Sequence, residues 1–344
     1  MAGCASGLFL AFDSALFRTR PYLRYLEPDS YAGRVMQVVS NLERRPRDAS
    51  RDIAVLGDSR IAEGFSAKLA REVAPEYAWI NSSVPGTNPR VWYYLLREAD
   101  PTASRFRAIV LAVDRYEDDD QGADPAAYVF DPRSIAPLLR WADAAQFVES
   151  FPIPSRWEAL RTAVLRGLAF KEDAQQFVAN PADRIARAQF NRFRKEQIDD
   201  DYPGNPRSVA GVAIDRARRT VTVPAGFRDD ERDAFALNLF HPPYLQDGSL
   251  ARFRRLWLGR ILERYRNSKT RLIFFRTPSS PWPQPPLQHT SAVLDLAREY
   301  GVRALPEEPF RAIESPENFF DQVHPNAKGR APLTRALVQE IGRL

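Results

Sequence analysis

The chain has 344 residues, of which 44% are hydrophobic and 27% charged, so it is long enough to bury a sizeable core. A single cysteine, Cys4, excludes an intramolecular disulfide and a cysteine-based metal site, and with three histidines a histidine-rich site is not expected either; we predict no metal and no cofactor. The formal net charge is +5, but no basic run is dense enough for a nucleic-acid-binding arm, so a nucleic-acid partner is not expected.

The first 50 residues read as an N-terminal arm with helical patches at about 16–26 and 31–44. The apolar stretch from Ala5 to Phe12 is far shorter than the roughly 20 residues that span a bilayer, and no basic segment precedes it as in a signal peptide. Two interpretations of this stretch stay open. It is either a short amphipathic helix or the end of a longer membrane anchor whose start is missing.

Beyond the arm, strands alternate with helices. A short apolar run at 52–56, stopped by Gly57, is typical of a buried strand. The elements predicted next are a helix over 61–74, a strand over 77–81, a helix over 91–99 and a strand over 106–113. Because strands that alternate with long helices need crossover connections, this order predicts a parallel sheet.

The alternation is interrupted over residues 121–248, which we predict to be a mostly helical insertion or cap. The elements expected in it are amphipathic helices over 135–149, 155–170 and 182–197 and a hairpin over 211–224. The alternation then resumes with a helix over 249–265, a strand over 270–275, a helix over 291–300, a strand over 302–305 and a helix over 328–344. Residues 51–120 and 249–344 are therefore predicted to form a three-layer α/β/α sandwich with a mainly parallel sheet of about five strands.

Gly57-Asp58-Ser59 lies between the first predicted strand and the following helix. Ligand sites of parallel sheets form at the carboxyl ends of the strands. A serine at the start of a helix sits beside free backbone N–H groups, which favour the negative charge that nucleophilic attack creates. Asp and Ser are also preferred helix caps, so an ordinary cap is the alternative interpretation.

A second segment, Asp321-Gln322-Val323-His324-Pro325, precedes the last predicted helix. A serine nucleophile needs a base within about 2.6–3.2 Å and a third group that orients the base. Asp321 and His324 could supply both from one short loop. A surface histidine is the alternative for His324 taken alone, but the joint occurrence of the two segments favours the catalytic interpretation.

Together, these two segments resemble the conserved blocks of the SGNH (GDSL-like) hydrolase superfamily. The resemblance implies a flavodoxin-like fold, with Ser59 as nucleophile and Asp321 and His324 as its relay. It also implies that the backbone N–H groups of Ser59 and Gly86, the latter in the turn after the second strand, form the oxyanion hole. The resemblance covers residues 50–120 and 249–344, and no motif covers the insertion.

The chain departs from this family after the third strand. Where the family has Gly-x-Asn-Asp, with an Asn that donates to the oxyanion, this chain has Ala112-Val113-Asp114-Arg115. An ionised Asp114 would repel an oxyanion. Either the hole has backbone donors only, or a side chain such as Arg115 contributes, or Asp114 is a structural carboxylate paired with Arg60 or Arg115. Loss of one donor predicts a slow or specialised enzyme.

The departure narrows the resemblance to a divergent branch of the superfamily that transfers acyl groups to bacterial envelope polymers, including polysaccharide O-acetylation and D-alanyl transfer proteins. The chain resembles this branch in its Gly-Asp-Ser-Arg start at 57–60, in an apolar stretch that could be the remnant of an anchor and in its large helical insertion. The resemblance implies a serine esterase or O-acyltransferase that acts on an envelope or secreted polysaccharide. It also implies a membrane-bound O-acyltransferase partner and a periplasmic, membrane-anchored location. The alternatives are a soluble carboxylesterase of small esters, a non-catalytic binding or scaffold protein, and a cytoplasmic location.

Two other histidines, His241 and His289, fall in predicted loops, where a role other than catalysis is the expected interpretation. The acidic run at 117–120 is expected to be a solvated loop at the mouth of the site.

Overall fold

The computed structural model describes residues 2–118, 125–240, 248–282 and 290–343. Its strands are β1 (Asp52–Leu56), β2 (Ala78–Asn81), β3 (Ala108–Val113), β4 (Ala213–Asp215), β5 (Thr220–Thr222), β6 (Arg271–Arg276) and β7 (Arg303–Ala304). Five of them form one sheet in the order β2-β1-β3-β6-β7, and every pair in it is parallel. Counted along the chain, this is the 2-1-3-4-5 order of doubly wound flavodoxin-like folds.

The described helices are α1 (Ala2–Phe17), α2 (Arg20–Leu23), α3 (Tyr31–Arg44), α4 (Ser59–Gly64), α5 (Ala67–Val73), α6 (Pro89–Ala99), α7 (Pro125–Ile135), α8 (Ala144–Glu149), α9 (Arg156–Val164), α10 (Arg166–Ala169), α11 (Lys171–Ala179), α12 (Pro181–Asn191), α13 (Lys195–Asp201), α14 (Asp229–Phe240), α15 (Ser249–Tyr265), α16 (Ala292–Tyr300), α17 (Glu308–Arg311) and α18 (Ala327–Gly342). None of them has both the length and the apolar character required to cross a bilayer.

Helices cover both faces of the sheet. On one face, α3, α6, α15 and α16 share a core with the β1 residues Ala54 and Leu56. On the other face, α4, α5, α17 and α18 share a second core with Ile53 and Val55. Successive strand residues point to opposite faces, so each strand contributes to both cores. The prediction of a three-layer α/β/α sandwich with a five-stranded, mainly parallel sheet is confirmed.

The helix predicted over 61–74 is wrong, because the chain breaks it into α4 and α5. Phe65 is extended and fully buried, and the Ser66 hydroxyl caps α5 by accepting from the Leu69 N–H at 3.2 Å. Gly64 packs so tightly that an added Cβ would lie 2.9 Å from Pro325. The break therefore lets α4 pass close beneath the loop that carries His324.

The segment over 121–248 is largely helical where it is described, and its hairpin is the antiparallel pair β4–β5. Its helices are shorter than predicted: the segments expected at 135–149 and 155–170 are interrupted by 3₁₀ turns or kinks. The predicted arm includes α3, whose Val35, Val38 and Leu42 are buried in the core of the sheet.

Candidate active site

Ser59 lies directly beyond the carboxyl end of β1, as the first residue of α4. The turn before it leaves no room for a side chain at Gly57, where an added Cβ would lie 2.6 Å from the Ile61 side chain. Asp58 caps the helix by accepting from the Arg60 N–H at 2.9 Å, and it also holds the Arg60 guanidinium in an ion pair of 2.5 Å. The turn geometry thus fixes Ser59 at the edge of the sheet where parallel folds bind ligands.

The loop before α18 brings two further side chains to Ser59. His324 Nε2 lies 2.7 Å from Ser59 Oγ, and His324 Nδ1 lies 2.7 Å from Asp321 Oδ2. An ionised carboxylate can only accept, so Nδ1 carries the proton and donates to Asp321. Nε2 is then left to accept from the Ser59 hydroxyl, which is the arrangement needed to remove that proton.

Short-range contacts hold this loop in shape. Asp321 Oδ1 accepts from the N–H groups of Val323 and His324 at 2.9 and 2.8 Å. The Phe320 ring stacks on the imidazole at 5.4 Å between centroids and 11° between planes. Burial alone would raise the pKa of the Asp321 carboxyl, but the hydrogen bond and charge of His324 and the two N–H donors hold that pKa below its usual value. Asp321 therefore stays ionised and can orient the imidazole.

The insertion braces the same loop through Asn326, a contribution that the sequence did not indicate. Asn326 is 2% exposed, and its side-chain oxygen caps α18 by accepting from the Gly329 N–H at 2.9 Å. Its amide donates to the backbone carbonyl groups of Arg207, Glu317 and Phe319 at 3.0, 2.8 and 3.3 Å. Because Arg207 belongs to the insertion, the insertion supports the position of His324.

A cavity of about 450 Å³ opens beside Ser59. Gly86, which the sequence placed in the oxyanion hole, lines this cavity with a left-handed φ of +70°, a conformation that favours glycine. In the described part of the chain, the backbone N–H groups of Ser59 and Gly86 donate to no protein acceptor. Both groups are thus available to a ligand in the cavity.

Asp114 has a partner that the sequence did not identify. Arg254 of α15 donates to Asp114 Oδ1 at 2.5 Å, so the expectation of a pair with the Arg60 or Arg115 side chain is corrected. Arg60 is instead held by Asp58, and Arg115 donates its backbone N–H to Asp114 Oδ1 at 3.0 Å. Nothing in the periodicity of α15 distinguishes Arg254 from the other arginines of this helix.

The charge of Asp114 follows from its surroundings. Partial burial alone would raise the pKa of this carboxyl, but the positive charges of Arg254 and Arg60 and the Arg115 N–H lower it to about 2. Burial alone would lower the pKa of the Arg60 guanidinium, but the neighbouring Asp58 and Asp114 carboxylates raise it, so Arg60 remains a cation. Asp114, Arg115 and Arg60 all line the cavity, as the sequence suggested for side chains near the site.

The remaining histidine candidates, His241 and His289, lie outside the described residues, as do residues 119–120 of the acidic run. Within that run, Asp118 is not a solvated side chain: it is 4% exposed and accepts from Arg254 at 3.3 Å.

No protein-family model matches the chain, and no curated protein is significantly similar to it in sequence. The interpretation of the site therefore depends on its own geometry and on its two sequence motifs.

Proposed function

We propose that this chain is a serine-dependent acyl ester hydrolase or O-acyltransferase that works through an acyl-serine intermediate. The observation that carries the proposal is the hydrogen-bonded row of Ser59, His324 and Asp321, in which both contacts are 2.7 Å. Nucleophile, base and orienting carboxylate in this order are the parts that acyl transfer needs. The free N–H groups at Ser59 and Gly86 offer the complementary donors for an oxyanion.

In the proposed reaction, His324 Nε2 takes the proton from the Ser59 hydroxyl while Oγ attacks the ester carbonyl. The negative charge on the carbonyl oxygen is stabilised by the backbone donors. His324 returns the proton to the departing alcohol, and the acyl group remains on Ser59. A water molecule or an acceptor hydroxyl then attacks the acyl carbonyl, gives its proton to His324 and releases Ser59 Oγ, which regains that proton.

The motif resemblance further supports an envelope or secreted polysaccharide as the substrate, a membrane-bound O-acyltransferase as partner and a location in the cell envelope. A non-catalytic role is the second candidate, and one observation favours it. The ionised Asp114 stands where an oxyanion donor would be expected, and a missing donor typically costs about 3–4 kcal/mol of transition-state stabilisation.

The test is the reaction with p-nitrophenyl acetate. The proposal predicts a burst of p-nitrophenolate close to one equivalent per chain, followed by slower turnover as the acyl-serine is resolved. Added oligosaccharide acceptors should yield acetylated sugar if the chain is a transferase and only acetate if it is a hydrolase. Release of p-nitrophenolate no faster than in buffer would contradict the proposal and favour the non-catalytic role.

A further inference from the structure

The Asp114 carboxylate stands beside the proposed nucleophile. β3, which ends at Val113, pairs directly with β1, which precedes Ser59. The strand order reverses between these two strands, and ligands of such sheets bind in the crevice at that point. Both Asp114 and Ser59 line the 450 Å³ cavity. An acyl group attached to Ser59 would therefore lie in the same cavity as Asp114.

One oxygen of this carboxylate is occupied and the other is open. Oδ1 accepts from both the Arg254 guanidinium and the Arg115 N–H, whereas Oδ2 has no donor among the described residues. The Asp114 side chain is 46% exposed, whereas its partner Arg254 is 4% exposed. Arg254 is thus a buried support, and Asp114 presents an acceptor-only oxygen to a ligand.

The charge around the cavity indicates which donor this oxygen takes. The arginines and carboxylates that line the cavity are largely paired: Arg60 with Asp58, Arg90 with Asp131, Arg254 with Asp114 and Asp118, and Glu117 with Arg311. Because Arg254 already balances the charge of Asp114, this carboxylate does not require a cationic ligand, and its own charge disfavours a ligand anion beside it. A neutral hydroxyl group is the donor that meets both conditions, since it can donate a hydrogen bond to the ionised carboxylate without bringing a charge of its own.

We propose that Asp114 Oδ2 binds a hydroxyl group of the acyl acceptor, adjacent to the hydroxyl that attacks the acyl-serine. This inference rests on the proposed function and names the acceptor class, a neutral polyol such as a sugar. The attacking hydroxyl loses its proton to His324, and its oxygen forms the new ester bond as the bond to Ser59 Oγ breaks. Asp114 exchanges no proton or bond; it holds the acceptor in place so that a polyol competes with water.

The test compares how acyl-serine partitions between acceptors. With p-nitrophenyl acetate as donor, glycerol supplies a neighbouring hydroxyl and methanol does not. For wild type, we expect acetyl transfer per hydroxyl group of glycerol to exceed transfer to methanol by about tenfold, the contribution of one charge-assisted hydrogen bond. In Asp114→Asn, this preference should fall to about threefold while the burst remains, because the amide oxygen still accepts from the hydroxyl but the hydrogen bond is no longer charge-assisted. Asp295→Asn is the matched control, since Asp295 accepts from the neighbouring Arg255 of α15 and does not line the cavity; its preference should equal that of wild type.

The partition is measured only on molecules that have formed acyl-serine, so misfolded molecules do not affect it. If Asp114→Asn gives no burst, Asp114→Ser is measured instead, and loss of the burst in both variants would overturn the proposal, because Asp114 would then act before the acceptor binds. An unchanged glycerol preference in either variant, or no preference in wild type, would also overturn it. Release of p-nitrophenolate by wild type no faster than in buffer would instead contradict the proposed function.

Discussion

Replacement of Ser59 by alanine is expected to reduce p-nitrophenyl ester hydrolysis by about 10⁴-fold or more, leaving only the residual rate that the backbone donors and substrate binding provide above the buffer reaction. His324→Ala should cause a loss of similar size, because without the imidazole at 2.7 Å the hydroxyl has no base to take its proton. Residues that act as one unit are not additive, so the double variant should be no slower than either single variant. Steady-state rates of the three variants provide the measurement.

Ser50→Ala is the matched control for these variants, since Ser50 is exposed and its hydroxyl donates only to the nearby Asp48 carboxylate. It should hydrolyse the ester at the wild-type rate. Two results would contradict the assignment: Ser59→Ala retaining most of the activity, or the losses from Ser59→Ala and His324→Ala multiplying in the double variant as independent effects do.

Arg254→Met is expected to lower the free energy of unfolding by about 3–5 kcal/mol, the cost of leaving a buried charge without its partner. Arg254 is 4% exposed and forms ion pairs with Asp118 at 3.3 Å and Asp114 at 2.5 Å. The pair with Asp118 contributes the larger part of this free energy, because the Asp118 side chain is only 3% exposed. The half-exposed Asp114 contributes less, since solvent screens its charge. Urea unfolding at pH 7 measures the difference.

Arg255→Met is the control for this variant. Arg255 is the next residue of the same helix and pairs with Asp295, but its side chain is 48% exposed. Loss of an exposed ion pair should cost about 0–1 kcal/mol. Equal destabilisation by the two variants would contradict a special role for the Arg254 network.

The pH dependence of the Arg254 effect has a definite sign. The folded-state pKa of Asp114 is about 2, below its ordinary value of 3.8. The pair with Arg254 therefore stabilises the fold fully above pH 3.8, and this contribution is lost as the pH falls towards 2. The difference in free energy of unfolding between wild type and Arg254→Met should accordingly become smaller as the pH is lowered from 3.8 towards 2.

Local patterns in the sequence predicted the sheet and the three side chains of the proposed relay. The strand at 52–56 and the helix at 249–265 agree with β1 and α15 because an apolar run and a long amphipathic pattern each specify one kind of element. Ser59, Asp321 and His324 were identified because each lies in a short motif whose place in the strand order indicates the sheet edge. Their hydrogen bonding agrees with that prediction, while their role in catalysis stays a prediction.

Pairings between distant side chains could not be predicted. Arg254 lies 140 residues from Asp114 and is one of several arginines in α15, so only the packed helix selects it as the partner. The contact between Asn326 and Arg207 likewise depends on how the insertion folds back on the loop. The break at Phe65 was missed because the apolar pattern continues through it, whereas the tight contact of Gly64 with Pro325 is a property of the tertiary structure alone.

Covalent labelling by a fluorophosphonate, followed by peptide mass spectrometry, tests the central claim most directly, because only an activated serine hydroxyl reacts readily with such a probe. One adduct per chain is predicted, on the peptide that contains Ser59, with no adduct in Ser59→Ala and strongly slowed labelling in His324→Ala. Undiminished labelling of Ser59→Ala, or an adduct confined to another residue, would contradict the claim that Ser59 and His324 form a nucleophile and its base.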